Sequence, residues 1–314
     1  SFGADVTRLT LILGAEDMDD PDWREENVKS IDAKLRALYR FVDLITTLSG
    51  GAEEKSVDRW LISTVQNRIN TVTSAIEVLK TRTAAEVALF EVWNDIRWYM
   101  RRTGNLNPKV LMEVADIWIR LLAPFTPYVC EELWHLLGKD GFASIAEWPL
   151  FNSSEIDIKA EEAEDLIRGL IEDTVNIIRA TKMTPKRICY YMAADWKWRA
   201  YLKVLEKSLS QKVEMRDIMQ DLMKDLDLRK RAKKVAKFTG ETIAELNAAP
   251  ADQKKSRLGI GRLEEQAVTR EAKRFLEKEF KAEVSIYDEE DRQRHDPTGR
   301  ANMAKPYRPA IYIE

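Results

Sequence analysis

Apolar residues recur every three or four positions from Ile31 onward, a spacing that builds one-sided helices and little else. Ile31, Leu35, Leu38, Val42 and Ile45 form the first such stripe, which Gly50-Gly51 ends. Val57, Trp60, Leu61, Val65, Ile69, Val72, Ile76 and Leu79 form the second. A third helix is predicted from Thr83, which stands at capping-box spacing from Glu86, through Trp93 and Trp98 to Gly104, a residue suited to the position after a helix end. Pro108 is placed to open a fourth helix carrying Val110, Val114, Ile117, Trp118 and Leu121, and residues 131–137 read as a short fifth closed by Gly138. With 12 Gly and 10 Pro in 314 residues, the chain is too poor in breakers for a many-turned β fold. Short connections between amphipathic helices imply an antiparallel bundle.

The pattern changes after Trp148-Pro149, and Asn152-Ser153-Ser154 reads as a linker. A long helix over 160–180 is followed by a β-type run, Arg187-Ile188-Cys189-Tyr190-Tyr191-Met192, and then by a Trp-rich helix around Trp196, Trp198 and Tyr201. Further helices are expected over 209–246 and 262–280, and strands at 284–287 and 310–313. The expected fold is mainly α: an antiparallel helix bundle at 31–152 followed by a small α/β domain at 153–314. Residues 1–30, with the acidic run from Glu16 to Trp23, are expected to be a connector from a preceding domain.

Several chemistries are excluded by the residues at hand. No apolar run is long enough for a membrane helix, and Ser1-Phe2-Gly3-Ala4-Asp5 lacks the basic lead and apolar core of a signal peptide. Two distant cysteines, Cys130 and Cys189, make no disulfide framework and suit a reducing cytoplasm. Neither His135 nor His295 stands at ligand spacing from a cysteine, so no metal site is expected. Gly259-Ile260-Gly261 lacks the third glycine of a nucleotide loop, Glu264 standing in its place. Glu131 and Glu132 are neighbours that point about 100° apart on a helix, better read as solvated first-turn charges than as an acid/base pair. No catalytic residue is assigned.

The net charge of −3 conceals an uneven distribution. Residues 182–237 hold 16 Lys and Arg against 7 Asp and Glu, a local net of +9 that leaves −12 for the rest. Within this region Arg229, Lys230, Lys233, Lys234 and Lys237 would share one face of a helix, where like charges repel unless a polyanion neutralises them. A solvated face is the plainer alternative. Arg97, Arg101 and Arg102 cluster at the end of the third helix, where the helix dipole favours cations with or without RNA. The run Lys305-Pro306-Tyr307-Arg308-Pro309-Ala310-Ile311-Tyr312-Ile313-Glu314 is stiffened by proline, too apolar for a solvated tail, and finishes in carboxylate acceptors suited to base amino groups.

These regions also carry a family resemblance. Phe2-Gly3-Ala4-Asp5, Arg8-Leu9, Asp22-Trp23 and Tyr39-Arg40-Phe41 resemble the passage that follows the Lys-Met-Ser-Lys-Ser signature in class I synthetases for branched aliphatic amino acids. Leu121-Leu122-Ala123-Pro124-Phe125-Thr126-Pro127-Tyr128-Val129-Cys130-Glu131-Glu132-Leu133-Trp134, with Glu147-Trp148-Pro149, is similar to the last helices of their anticodon-binding bundle. The stretch from Arg97 to Arg102 and the ending Pro309-Ala310-Ile311-Tyr312-Ile313-Glu314 resemble the leucyl-tRNA synthetases of the archaeal and eukaryotic type.

The resemblance implies a fragment that binds leucine tRNA, with the anticodon unread and the long variable arm met by Pro309, Ile311, Tyr312, Ile313 and Glu314. RNA backbone would fall on Arg229, Lys230, Lys233, Lys234, Lys237, Arg97, Arg101 and Arg102. It implies further that catalysis, with its ATP and magnesium, and editing belong to absent domains of the same protein, so the fragment alone is expected to hold no cofactor and to be inactive. Isoleucyl or valyl synthetases, and a helical protein-interaction module of a synthetase assembly, are the alternatives.

Overall fold

The single-faced apolar stripes fold as helices in a computed structural model that describes residues 2–16, 19–51, 53–210 and 212–314. Asp17 and Met18 of the acidic run lie outside the described residues. The chain divides into two compact units, 1–160 and 161–314.

The first unit is an all-helical bundle of α1 (Ala4–Gly14), α2 (Glu25–Thr47), α3 (Ser56–Glu77), α4 (Thr81–Glu86), α5 (Val92–Thr103), α6 (Pro108–Leu122) and α7 (Pro127–Leu136). α1 buries Val6 and Leu9 in the bundle core. Its Asp5 carboxylate accepts the Val129 N–H at 2.7 Å, in the first turn of α7, where the free N–H groups and the dipole favour a negative charge. Pro108 and Pro127 both stand at helix starts. Gly104 ends α5 at φ 63°, a left-handed conformation that a side chain would strain.

Three local expectations are corrected. The third helix starts at Thr81, because Leu79 at φ 60° turns the chain directly out of α3. Thr83 therefore caps nothing; its N–H and hydroxyl donate to the Glu16 carboxylate at 3.1 and 2.9 Å, while Glu86 pairs with Arg82 at 3.0 Å. That helix is also not continuous, since Val87–Glu91 forms a π turn between α4 and α5. The Trp118 indole N–H, arriving from α6, donates to the Ala88 carbonyl in that turn at 2.6 Å, and its ring stacks on Trp93 at 5.6 Å. Finally, α7 begins four residues before the expected start, at Pro127, so Glu131 lies past the first turn and accepts the N–H groups of Ala143 and Ser144 at 2.8 and 2.9 Å.

α8 (Ile158–Thr181) leads into the second unit, which contains α9 (Asp195–Ser208), α10 (Met215–Leu222), α11 (Leu226–Lys230), α12 (Ala232–Ala248), α13 (Ala251–Ile260), α14 (Glu265–Phe280) and three strands. The strands are β1 (Arg187–Met192), β2 (Glu283–Asp288) and β3 (Ala310–Ile313), in the order β2-β1-β3. β2 runs parallel to β1 with Ile188 opposite Val284; β3 runs antiparallel with Ile188 opposite Ile313 and Tyr190 opposite Ile311. The alternation puts Ile188, Tyr190, Met192, Ile311 and Ile313 on one face. That face meets α8, whose Thr174 hydroxyl bonds the Tyr190 hydroxyl at 3.0 Å, and α14, whose Thr269 hydroxyl donates to the Met192 sulfur at 3.9 Å. The opposite face packs Cys189 and Tyr191 against Ala301, Ala304 and Ala310.

Both cysteines are interior. Burial pushes the Cys130 thiol up to about 12 and raises that of Cys189.

One buried carboxylate organises the approach to β3. Tyr307 adopts φ 63° in a turn closed by reciprocal backbone bonds between Lys305 and Arg308 at 3.0 and 2.9 Å. Its N–H donates to Glu265, the first residue of α14, at 2.5 Å, and its ring packs against Trp198 and under the Arg257 guanidinium, 4.1 Å above. Burial pushes the Glu265 carboxyl up to about 7, against the hydrogen bond from Tyr307. The folded protein therefore holds a proton that the unfolded chain has released between pH 4.5 and 7. Stability from this group is full below about 4.5 and is lost as pH rises through about 7. Relative to Glu265→Gln, the wild-type chain is expected to lose about 2–4 kcal/mol over that window in urea titrations. Parallel pH profiles for the two proteins would contradict this.

Candidate nucleic-acid interface

The five cations singled out at 229–237 are all exposed, and among the described residues none of them forms an ion pair. They do not lie on one continuous helix. Asp225 caps α11 through the N–H groups of Asp227 and Leu228, at 2.9 and 3.2 Å, and the helix stops after Lys230. Arg231, at φ −110° and ψ 18°, separates it from α12, its guanidinium held by Glu290 and lying 3.7 Å from Asp227. Arg229 and Lys230 thus close α11, while Lys233, Lys234 and Lys237 open α12. The predicted single stripe becomes two adjoining basic turns spanning about 12 Å at helical rise. α12 buries its other side through Val235, Phe238, Thr242 and Leu246.

Beside these turns lies a cleft of about 710 Å³. Lys234, Lys237 and Glu241 line it from α12, with Lys305 and Arg294 from the segment between β2 and β3. At its edge Lys197 and Glu289 form a buried ion pair at 2.8 Å, and the Lys197 ammonium also donates to the carbonyls of Asn302 and Ala304 at 2.8 and 2.6 Å. Burial draws the Lys197 ammonium down and pushes the Glu289 carboxyl up, and the pairing opposes both shifts. Lys305 reaches Glu241 at 2.9 Å, and Arg294 lies 3.5 Å from Asp296. Sequence reasoning assigned no site role to Lys197, Lys305 or Arg294; Lys197 and Lys305 reach the cleft through contacts with distant segments.

The run at 309–314 is structural over much of its length. Pro309, Ile311 and Ile313 are buried, which takes three of the five residues assigned to variable-arm contact out of reach of a nucleic acid. Tyr312 and Glu314 keep a solvent face. The Glu314 carboxylate is held by Arg187 at 2.9 Å and by His295 at 3.1 Å, and its carbonyl accepts the N–H groups of Lys186 and Arg187 at 2.7 and 3.0 Å. In the bundle, Arg97 and Arg101 are exposed at the end of α5, with Arg101 set 5.5 Å from the Trp98 ring. Arg102 is buried, so it cannot contact a backbone without leaving the core. Among the described residues no group of His, Cys, Asp or Glu could hold a metal ion, and no helix is long and apolar enough to cross a membrane.

Residues 58–189 match the family model described as the anticodon-binding domain of tRNA ligase. Leucine–tRNA ligase of Methanosarcina barkeri is 37% identical over 317 residues, covering 100% of this chain and 32% of that protein. The whole chain is similar to one third of a leucine–tRNA ligase. Leucine–tRNA ligases of Pyrococcus abyssi (39% identical; 99% of this chain, 31% of that protein) and Methanococcoides burtonii (35%; 100% and 33%) align just as fully. The chain spans about a third of the length of these relatives and corresponds to their C-terminal part. The anticodon-binding match takes in Arg97 and Arg101 but ends before the basic turns of α11 and α12 and before β3.

Proposed function

We propose that this chain is the tRNA-binding part of a leucyl-tRNA synthetase, holding leucine tRNA and meeting its long variable arm through the second unit. The observation that carries this reading is the group of exposed cations Arg229, Lys230, Lys233, Lys234 and Lys237, without an ion pair among the described residues, on a chain whose full length aligns with leucine–tRNA ligases. Phosphates would neutralise Arg229, Lys230, Lys233, Lys234 and Lys237 and release counterions, which makes binding steeply salt-dependent. Contact with the tip of the variable arm falls on Tyr312 and Glu314, the members of the strand ending that face solvent. Attachment of leucine to tRNA, with ATP and magnesium, is the task we assign to the catalytic part of the whole protein, working in the cytoplasm. The full-length alignment with leucine ligases favours this reading over an isoleucyl or valyl origin.

Filter binding at fixed salt tests it. Leucine tRNA lacking its variable arm is expected to bind at least about fivefold more weakly than the intact molecule, with a shallower salt dependence. Equal affinity for both forms would sink the variable-arm assignment, and salt-independent binding would point to a protein partner instead.

A further inference from the structure

We propose that the cleft between α12 and the segment preceding β3 is a phosphodiester subsite, with Glu241 occupying the phosphate position in the RNA-free protein. The inference rests on the RNA reading above and assigns one locus within it.

Each carboxylate lining the cleft has a cation, but the converse does not hold. Glu289 is consumed by Lys197 and Glu290 by Arg231. Glu241 takes Lys305, and Arg294 is matched by Asp296. Lys234 and Lys237 remain, lining the same space without an ion pair among the described residues. They precede Glu241 on α12 at i, i+3 and i+7, so all three project on one side of the helix, opposite Lys305. The hydrogen bond from Lys305 holds the Glu241 carboxyl below the ordinary carboxylate range, and the charges of Lys305, Lys237 and Lys197 add to the effect. The pocket is thus arranged around an anion that the protein supplies itself.

Both side chains of the Lys305–Glu241 pair are partly solvated, 32% and 45% exposed, so the pair exchanges partners at low cost. A phosphate entering the cleft would take Lys305 and gain the unmatched Lys234 and Lys237. Glu241 would rotate into water. A phosphodiester brings three cations together where the carboxylate holds one by direct contact, and the exposed turn at Lys233, Lys230 and Arg229 continues the track for neighbouring phosphates.

The test is filter binding of a leucine tRNA transcript to the 314-residue chain across a salt series. Glu241→Gln removes the internal competitor and is expected to tighten binding about fivefold at low salt, steepening the salt slope by up to about one. Lys234→Ala/Lys237→Ala is expected to flatten the slope by about 1.4–1.8. Glu245→Gln, an exposed carboxylate one turn further along α12, controls for a general charge effect. Thermal melts of all variants should coincide with the parent. An unchanged affinity in Glu241→Gln, or an equal gain in Glu245→Gln, overturns the subsite while leaving the RNA reading intact. Absence of salt-dependent tRNA retention by the unaltered chain overturns both.

Discussion

Lys197→Met is expected to destabilise the second unit by about 3–5 kcal/mol, because it strands a buried carboxylate. The Lys197 and Glu289 side chains are 5% and 7% exposed, and the ammonium makes three bonds that a thioether cannot replace. Urea unfolding followed through Trp196 and Trp198 would report the loss. Adding Glu289→Gln to Lys197→Met should recover more than half of it, since the stranded charge rather than the missing attraction carries most of the penalty. The pH dependence has a defined sign. Burial raises the Glu289 carboxyl, and without Lys197 the Ala194 N–H is left to oppose that shift. The single variant should therefore gain stability as pH falls toward 4.5, where Glu289 takes up a proton inside the fold. A loss under about 1 kcal/mol, or no recovery in the double variant, would show that the pair is not the organising contact described.

The second large effect separates fold from recognition at the strand ending. Ile313→Ala is expected to cost about 2–4 kcal/mol, as befits a buried aliphatic side chain opposite Ile188 in the sheet. Deleting Ile313 and Glu314 together should cost more, because three backbone bonds to Lys186 and Arg187 are lost as well. Truncation therefore cannot test RNA recognition, since it damages the sheet. Glu314→Gln keeps the backbone bonds and most of the shape. It is expected to leave the melting temperature within about 2 °C of the parent while weakening discrimination between leucine tRNA and a tRNA with a short variable arm. Unchanged discrimination would remove Glu314 from the interface.

The difference between these two residues marks what the sequence could convey. Helices with one apolar side, such as α2, α3 and α6, were legible because burial on one face leaves a 3.6-residue rhythm. β1 was legible only as an apolar run, since both its faces are covered and no alternation survives. That the ending must pack on something followed from its composition; that it packs beside β1, with Ile311 and Ile313 inward, did not. The π turn at Val87–Glu91 has no local signature, and the indole that bonds within it comes from 30 residues away. At the break, Arg231 is likewise paired with Glu290, 59 residues on. The five cations of the basic region were visible in the sequence, whereas the cleft beside them is lined from segments far apart in the chain, Lys197, Glu241 and Lys305 among them.

The sealed state of Cys130 and Cys189 gives the chain an unforeseen convenience. A thiol held near 12, or closed within a sheet, offers almost no thiolate to a maleimide at neutral pH. The native molecule is thus already a quiet background for spectroscopy. A cysteine introduced on the exposed rim of α12, at Lys233 for instance, would take a fluorophore there alone, and the approach of an RNA could be followed without first rebuilding the interior.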